Sequence, residues 1–201
     1  QGSGRITAID DSAARAMPGV IAVIHDDPRM PAGEANSRAM PTFASDTVFH
    51  YGQPVAIVIA EDQATAREAA DSVIVTIESG DDRFDSRDQP VDTDPKIGFL
   101  PPIAKGDLEA ALAEAAVTFE ATYTTPIHFP AALEPHASTV WWEGDRLIVR
   151  SSNQVIGGAS GTIAQALGID KSRVRVLAPY VGGGFGGKTG VGPEVILAAI
   201  A

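Results

Sequence analysis

The densest concentration of residues able to do chemistry is Val181-Gly182-Gly183-Gly184-Phe185-Gly186-Gly187-Lys188-Thr189, with five glycines in six positions. Glycine adopts positive φ at little steric cost and lets a backbone approach a ligand closely, so its N–H groups can act as a donor array. A Phe embedded in such a run is unusual for a plain linker. The letters Gly182-x-x-x-x-Gly187-Lys188-Thr189 also match a phosphate-binding P-loop, and a strand candidate, Arg173–Leu177, precedes them. In a P-loop, however, the helix runs on from the Gly-Lys-Thr and turns its N-terminus to the phosphates. Here Gly190, Gly192 and Pro193 follow at once. Each interior glycine costs roughly 1 kcal/mol of helix stability and proline roughly 3, so a helix starts only near Gly192. A nucleotide-binding protein is therefore the second reading, not the first.

Other candidate chemistry is weaker. His128, Glu134 and His136 form a loose acid–histidine group, but Pro126, Pro130 and Pro135 make the segment a rigid loop without zinc-ligand spacing. Glu134 is expected to satisfy backbone donors beside the glycine loop. His25-Asp26-Asp27-Pro28 reads as a solvated turn, His50 as structural, and Asp10-Asp11 as a helix cap rather than a metal site. No Gly-x-Ser-x-Gly or Ser-His-Asp arrangement occurs. The absence of cysteine excludes disulfides, iron–sulfur ligation and thiolate catalysis within these residues. A net charge of −11 without a basic stripe argues against nucleic acid, and no apolar run reaches membrane-spanning length. Cytoplasm and periplasm both remain open, the cytoplasm slightly favoured.

The elements that must position these residues follow from periodicity and punctuation. Asp10-Asp11-Ser12 opens a short helix, Ile21–Ile24 and Val55–Ala60 read as strands, and Asp62 caps a helix to about Ala70. With Val73–Ile77 this suggests a βαβ-like unit and some parallel pairing, antiparallel alternatives remaining open. Gln1–Gly4 reads as a cloning remnant or a loop. Residues 80–102 are acidic, proline-punctuated and aperiodic, a linker. A helix over Asp107–Ala116 places Leu108 and Leu112 on one face. Strands are expected at Thr118–Thr124, Ser138–Trp142 and Arg146–Arg150, the last two joined by a hairpin at Glu143-Gly144-Asp145. Of Trp141 and Trp142, on opposite strand faces, one is expected in the core and one at a contact. A helix over about Ala159–Leu167 closes at Gly168. A last helix starts at Gly192-Pro193-Glu194 and runs wholly apolar to Ala201, as though cut within a helix that needs a partner.

Gly182-Gly183-Gly184-Phe185-Gly186-Gly187-Lys188 resembles the active-site loop of the molybdenum hydroxylases, the xanthine dehydrogenases, aldehyde oxidases and their bacterial relatives. Ser152-Asn153-Gln154 at a strand end is similar to that family's metal-site glutamine, and Gln154 stands the family's interval of 31 residues before Phe185. Leu133-Glu134-Pro135-His136-Ala137 resembles the segment preceding that strand. Tyr51-Gly52-Gln53-Pro54-Val55-Ala56, with Ala66 through Val75, resembles the family's small hammerhead domain.

The resemblance implies an α+β chain: a hammerhead-like α/β domain over 1–79, the linker 80–102, and the first part of a molybdopterin-binding domain over 103–201. It implies that Gln154 and the backbone of Gly184, Phe185 and Gly186 lie at a molybdenum–molybdopterin cofactor, of the cytosine dinucleotide form. The loop N–H groups would act as an oxyanion-type donor set. The implied reaction oxidises an aldehyde or hydroxylates an N-heterocycle with oxygen from water. Its partners are the rest of the large subunit and the 2Fe-2S and FAD centres on other domains or subunits. The family's catalytic Glu lies downstream, so no catalytic residue is expected here and these residues alone should be silent; an assembly module of a split subunit is the further alternative. Thr189 occupies the position where purine-oxidising members carry a Glu, and this substrate-proximal Thr favours aldehydes over xanthine.

Overall fold

A computed structural model describes residues 2–25, 46–48, 50–81 and 105–201. The linker from position 82 onward and the turn residues Asp26–Pro28 lie outside the described residues. Gln1–Phe84 with Pro130–Ala201 form one compact unit, and Asp85–Phe129 a second. The fold is mixed α/β.

In the first unit, β1 (Gly4–Asp10) is the middle strand of a three-stranded antiparallel sheet, between β3 (Thr47–Val48) and β5 (Ile74–Ser79). Gly4 is therefore strand rather than loop: it pairs with both Val48 and Ser79. β2 (Val20–Ile24) pairs antiparallel with β4 (Ile57–Ala60). The helices α1 (Ser12–Ala16) and α2 (Gln63–Asp71) pack with these strands around Ala14, Val23 and Ala69. The expected βαβ unit across residues 55–77 is not formed. β4 and β5 lie in different sheets and each pairs antiparallel, because the intervening helix is too short and too polar outside Ala69 to cover a parallel pair.

Asp62 caps α2 by accepting from the Thr65 amide and hydroxyl, which hold its carboxyl below the usual carboxylate range. The two aspartates before α1 divide their work. Asp10 accepts from the Ser12 N–H, whereas Asp11 makes no cap bond and instead binds Arg15 and, at 3.2 Å, His25. Arg15 chiefly lowers the Asp11 carboxyl. His25 is thus tied to α1 rather than standing in a solvated turn.

The rest of the first unit is built on β6 (Ser138–Glu143), β7 (Arg146–Ser151) and β8 (Val174–Leu177), in the order β6-β7-β8. β6 and β7 form the expected hairpin, with Gly144 at φ 61° in its two-residue turn. β8 lies parallel to β7, reached through α4 (Ile156–Leu167) and one 3-10 turn over Lys171–Arg173. Among the described residues, the parallel crossover is therefore here. α4 is long enough, and apolar enough at Ala159, Ile163, Ala164 and Ala166, to cover the pair. Gly168, in the left-handed region at φ 65°, ends it. α5 (Pro193–Ile200) starts with Pro at its first turn, and Val195 and Ile196 join Leu147, Val149 and Val174 in one core. Both tryptophans are partly exposed, so neither is a core residue. Trp142 donates to the Ala199 carbonyl and lies beneath the Arg173 guanidinium, and Trp141 donates to Glu143.

In the second unit, α3 (Leu108–Glu114) is capped by Asp107, with Leu108 and Leu112 exposed. The strand expected at Thr118–Thr124 is not formed. The segment is exposed and belongs to no sheet, since its alternating apolar residues meet no pairing edge among the described residues.

Candidate functional site

The β7–α4–β8 crossover explains why residues 31 apart come together. Gln154 follows the C-terminal end of β7, and the glycine run follows the C-terminal end of its parallel neighbour β8, with Arg150 opposite Leu177 at the last register pair. Crevices outside the carboxyl ends of parallel strands are where α/β folds hold ligands.

Two short segments are laced together there. Gln154 N–H donates to the Lys188 carbonyl at 2.9 Å, and Lys188 N–H donates back to Gln154 Oε1 at 3.2 Å. Since the Lys188 amide is a donor, the facing atom is the oxygen, which leaves Gln154 Nε2 as a donor for other groups. Buried Asn153 completes the lacing: its Nδ2 donates to the Gly190 carbonyl at 2.8 Å, and its Oδ1 accepts from Val155 N–H at 2.7 Å.

Within the loop, Gly182, Gly183, Phe185 and Gly186 have φ of 57°, 85°, 47° and 89°. Phe185 is the only non-glycine with positive φ among the described residues, and its side chain is 78% exposed. A positive φ in a bulky residue costs roughly 1–2 kcal/mol, so the surrounding turns must impose it. Gly187 N–H closes one turn on the Gly184 carbonyl at 2.7 Å, and the Thr189 hydroxyl closes the next on the Gly186 carbonyl at 2.9 Å. The N–H groups of Gly182, Gly183, Gly184, Phe185 and Gly186 meet no acceptor among the described residues. Gly184 is buried against the Gln154 amide, where a Cβ would overlap it.

Lys188 is 1% exposed. Its ammonium donates to the Val181 carbonyl at 2.6 Å and the Glu134 carbonyl at 2.9 Å, with Glu134 Oε2 at 3.5 Å. The phosphate-loop reading fails on this residue: a cation buried against its own backbone carbonyls is not offered to a phosphate. Glu134 also differs from expectation. Its carboxylate binds no backbone donor and faces the Lys188 ammonium, while its own N–H donates to Gly182. Glu134 Oε2, Ser138 Oγ and Ser152 Oγ are buried without hydrogen-bond partners, and all three residues line a cavity of about 350 Å³ that also includes Arg150 and Tyr180. No group of three metal-ligating side chains occurs among the described residues, and His136 is exposed.

Gln154, Gly184 and the loop backbone are thus brought together, and Thr189 is tied to Gly186. The part played by Lys188 and Asn153 was not singled out from sequence. Asn153 lies two residues past β7 and Lys188 eleven past β8, a placement without local meaning until the strands are paired.

Residues 91–201 match the family model of the molybdopterin cofactor-binding domain, more than half the chain, and residues 1–81 match the a/b hammerhead domain of aldehyde oxidase and xanthine dehydrogenase. The chain belongs to the aldehyde oxidase/xanthine dehydrogenase family of molybdopterin-binding subunits. It is 36% identical over 198 residues to the aldehyde oxidoreductase molybdenum-binding subunit PaoC of Escherichia coli K12, covering 98% of this chain and 27% of that protein. It is 31% identical over 214 residues to a putative xanthine dehydrogenase molybdenum-binding subunit of the same organism, covering 97% of this chain and 28% of that one. Quinoline 2-oxidoreductase from Pseudomonas putida 86 shares the fold, with TM-score 0.73 at 21% identity over 98% of this chain and 28% of that one. The chain therefore spans about a quarter of the length of the curated relatives it matches.

For this family, the local chemistry fits the group it implies. Five neighbouring N–H groups without acceptors, the Gln154 Nε2 donor and a Gly184 position with no room for a side chain suit an oxygen-rich, anionic ligand. Among the described residues, no helix is long and apolar enough to cross a membrane.

Proposed function

We propose that the whole protein is a molybdenum-dependent oxidoreductase, and that this chain provides one wall of its cofactor site. The observation that carries the reading is the meeting of the Gln154 amide with the unsatisfied loop N–H groups at the ends of β7 and β8. In this reading Gln154 Nε2 and the backbone N–H groups of Gly184, Phe185 and Gly186 would hold the cofactor by hydrogen bonds. The molybdenum–molybdopterin group, in its cytosine dinucleotide form, supplies the redox chemistry, with water as the oxygen source. The protein's own contribution is electrostatic: amide dipoles fixed in place need no reorganisation as negative charge develops on a substrate oxygen. The exposed Phe185 ring forms an apolar surface beside those donors.

The layout follows the same reading, with a hammerhead-like domain over 1–79, a linker over 80–102 and the first part of the molybdopterin-binding domain over 103–201. The catalytic Glu, the 2Fe-2S centres and the FAD belong to polypeptide outside these residues. Aldehydes are favoured over xanthine, because Thr189 carries no charge and its hydroxyl is engaged with the Gly186 carbonyl. It offers no carboxylate to hold a purine.

The test is metal analysis of the whole protein, followed by turnover of an aromatic aldehyde and of xanthine. Molybdenum near one atom per protein with faster aldehyde turnover is expected. Absence of molybdenum sinks the reading, and faster xanthine turnover sinks the preference. Gln154→Ala should lower kcat by roughly 10²-fold, the scale of losing one oxyanion-type donor, while leaving the circular dichroism spectrum unchanged.

A further inference from the structure

Lys188 and Asn153 are the buried polar side chains among the described residues. Asn153 is satisfied by the Val155 N–H beside it and by the Gly190 carbonyl just past the loop. Lys188 is different, because its contacts span the whole loop. Its ammonium reaches back seven residues to Val181, immediately before the first loop glycine, and across to Glu134 on a separate segment. Glu134 in turn donates its N–H to Gly182, whose missing Cβ leaves room for the Glu134 side chain. The peptide group of the same lysine holds Gln154 from both sides, by N–H and by carbonyl. One residue therefore fixes the start of the loop, its end, and the glutamine facing it. A cation bonded to carbonyls forms stronger hydrogen bonds than neutral donors do. At 1% exposure water does not compete for them.

We propose that Lys188 is the positioning residue of the glycine loop: its ammonium clips Val181 to Glu134, and its peptide group registers Gln154 against the loop's outward N–H groups. Lys188 touches neither cofactor nor substrate in this role. It acts through the geometry of Gln154 and of residues 182–186. The catalytic consequence rests on the functional reading above; the clip itself does not.

Amide hydrogen exchange on the whole protein reads the clip directly, since the N–H groups of Glu134, Gln154, Gly187, Lys188 and Thr189 are those that hold the loop closed. In Lys188→Met these amides should exchange at least about tenfold faster, with β7 and α4 unchanged, as expected for local rather than global opening. Glu134→Gln keeps both carbonyl acceptors and should stay within about threefold of the parent. Unchanged exchange in Lys188→Met, or equal loosening in Glu134→Gln, overturns the carbonyl clip. Should Lys188→Met fail to fold, Gly182→Ala decides. Its Cβ displaces Glu134 at the loop's start, and the clip requires faster exchange at Lys188, Thr189 and Gln154, at the far end. A change confined to residues next to 182 refutes it.

Molybdenum content separates the two claims. A loosened loop in a protein that never carries molybdenum retains the clip and removes the functional reading. Bound molybdenum with an unmoved loop does the reverse. In loaded protein, kcat per bound molybdenum should fall at least about tenfold with KM little changed, as a displaced donor set predicts. A fall explained wholly by lost metal refutes positioning.

Discussion

The rim and the root of the glycine loop are built on opposite principles. The rim, Gly182 to Gly186, has five N–H groups without acceptors among the described residues, four residues at positive φ and a Phe ring in the open. At the root, Asn153, Gln154, Lys188 and Gly190 are joined by three hydrogen bonds, and the two buried polar side chains among the described residues are both there. Left-handed backbone at a bulky residue costs stability, and such a cost persists only where the surroundings over-determine the conformation. The difference teaches that the rim's readiness for a ligand is maintained by the root, which has no ligand to meet.

The comparison breaks most severely at Asn153. Asn153→Ala removes the partners of the Gly190 carbonyl and the Val155 N–H in a part-buried setting and empties the buried space of the amide itself. A loss of about 3 kcal/mol is expected, each orphaned group costing on the order of 1–3; urea denaturation of the whole protein checks it. A loss below about 0.5 kcal/mol would mean that water replaces the amide and that the root is looser than its geometry indicates. Gly184→Ala strikes where root and rim touch. The added Cβ overlaps the Gln154 amide, the far end of an exposed side chain that can swing aside, so a loss of about 1 kcal/mol is expected, together with faster exchange of Lys188 N–H as Oε1 is pushed away. An Ala accommodated without either effect would show that Gln154 is not held against the loop.

At the rim the expectation reverses. Phe185→Gly relieves a positive φ but gives the unfolded chain more freedom, and the two effects are of similar size. Stability should therefore stay within about 0.5 kcal/mol, while turnover of the whole enzyme falls because the apolar surface beside the donors is gone. A stability loss like that of Asn153→Ala would place Phe185 in the structural half of the loop.

Sequence alone was a good guide where a signal is local. Asp62 and Asp107 as caps, Gly168 as a helix end, Pro193 as a helix start and the Gly144 turn are each set by one residue's own chemistry, and each stands as read. Pairing is not local. The segment 55–77 has the strand–helix–strand letters of a crossover but makes none, whereas 146–177 makes one through a helix whose glycines at 157, 158 and 161 weaken its local signal. β1 was hidden because it opens on Gly4 and stays largely exposed along its length, and only β5 and β3 on either side make it a strand. For the site, Gln154 and the glycines were legible through the family resemblance. Lys188 was misleading, since the same letters suit a phosphate ligand. Burial against Val181 and Glu134 decides its role, and burial is a property of the assembled fold.

The smallest expected effect concerns acid. The hydrogen bonds of the root run between amides, carbonyls and an ammonium, with no carboxylate among their donors and acceptors. The helix starts depend on carboxylates instead. Asp10, Asp11, Asp62 and Asp170 are each held below the usual range, by Ser12, by Arg15, by the Thr65 amide and by Ser172 respectively. A depressed carboxyl contributes stability that is fully present above its unfolded pKa, about 3.9, and is lost as pH falls through the lower folded value. The urea midpoint should therefore be flat from about pH 7 to about pH 5 and decline below about pH 4. Asp62→Asn keeps an N-cap acceptor but removes one titrating group, so it should cost little at neutral pH and make the acid decline shallower. Asn153→Ala should lower the whole curve without changing its shape. If Asn153→Ala instead altered the acid slope, the root would contain a titrating contact, and the division between charge-held helix starts and charge-independent loop root would not hold.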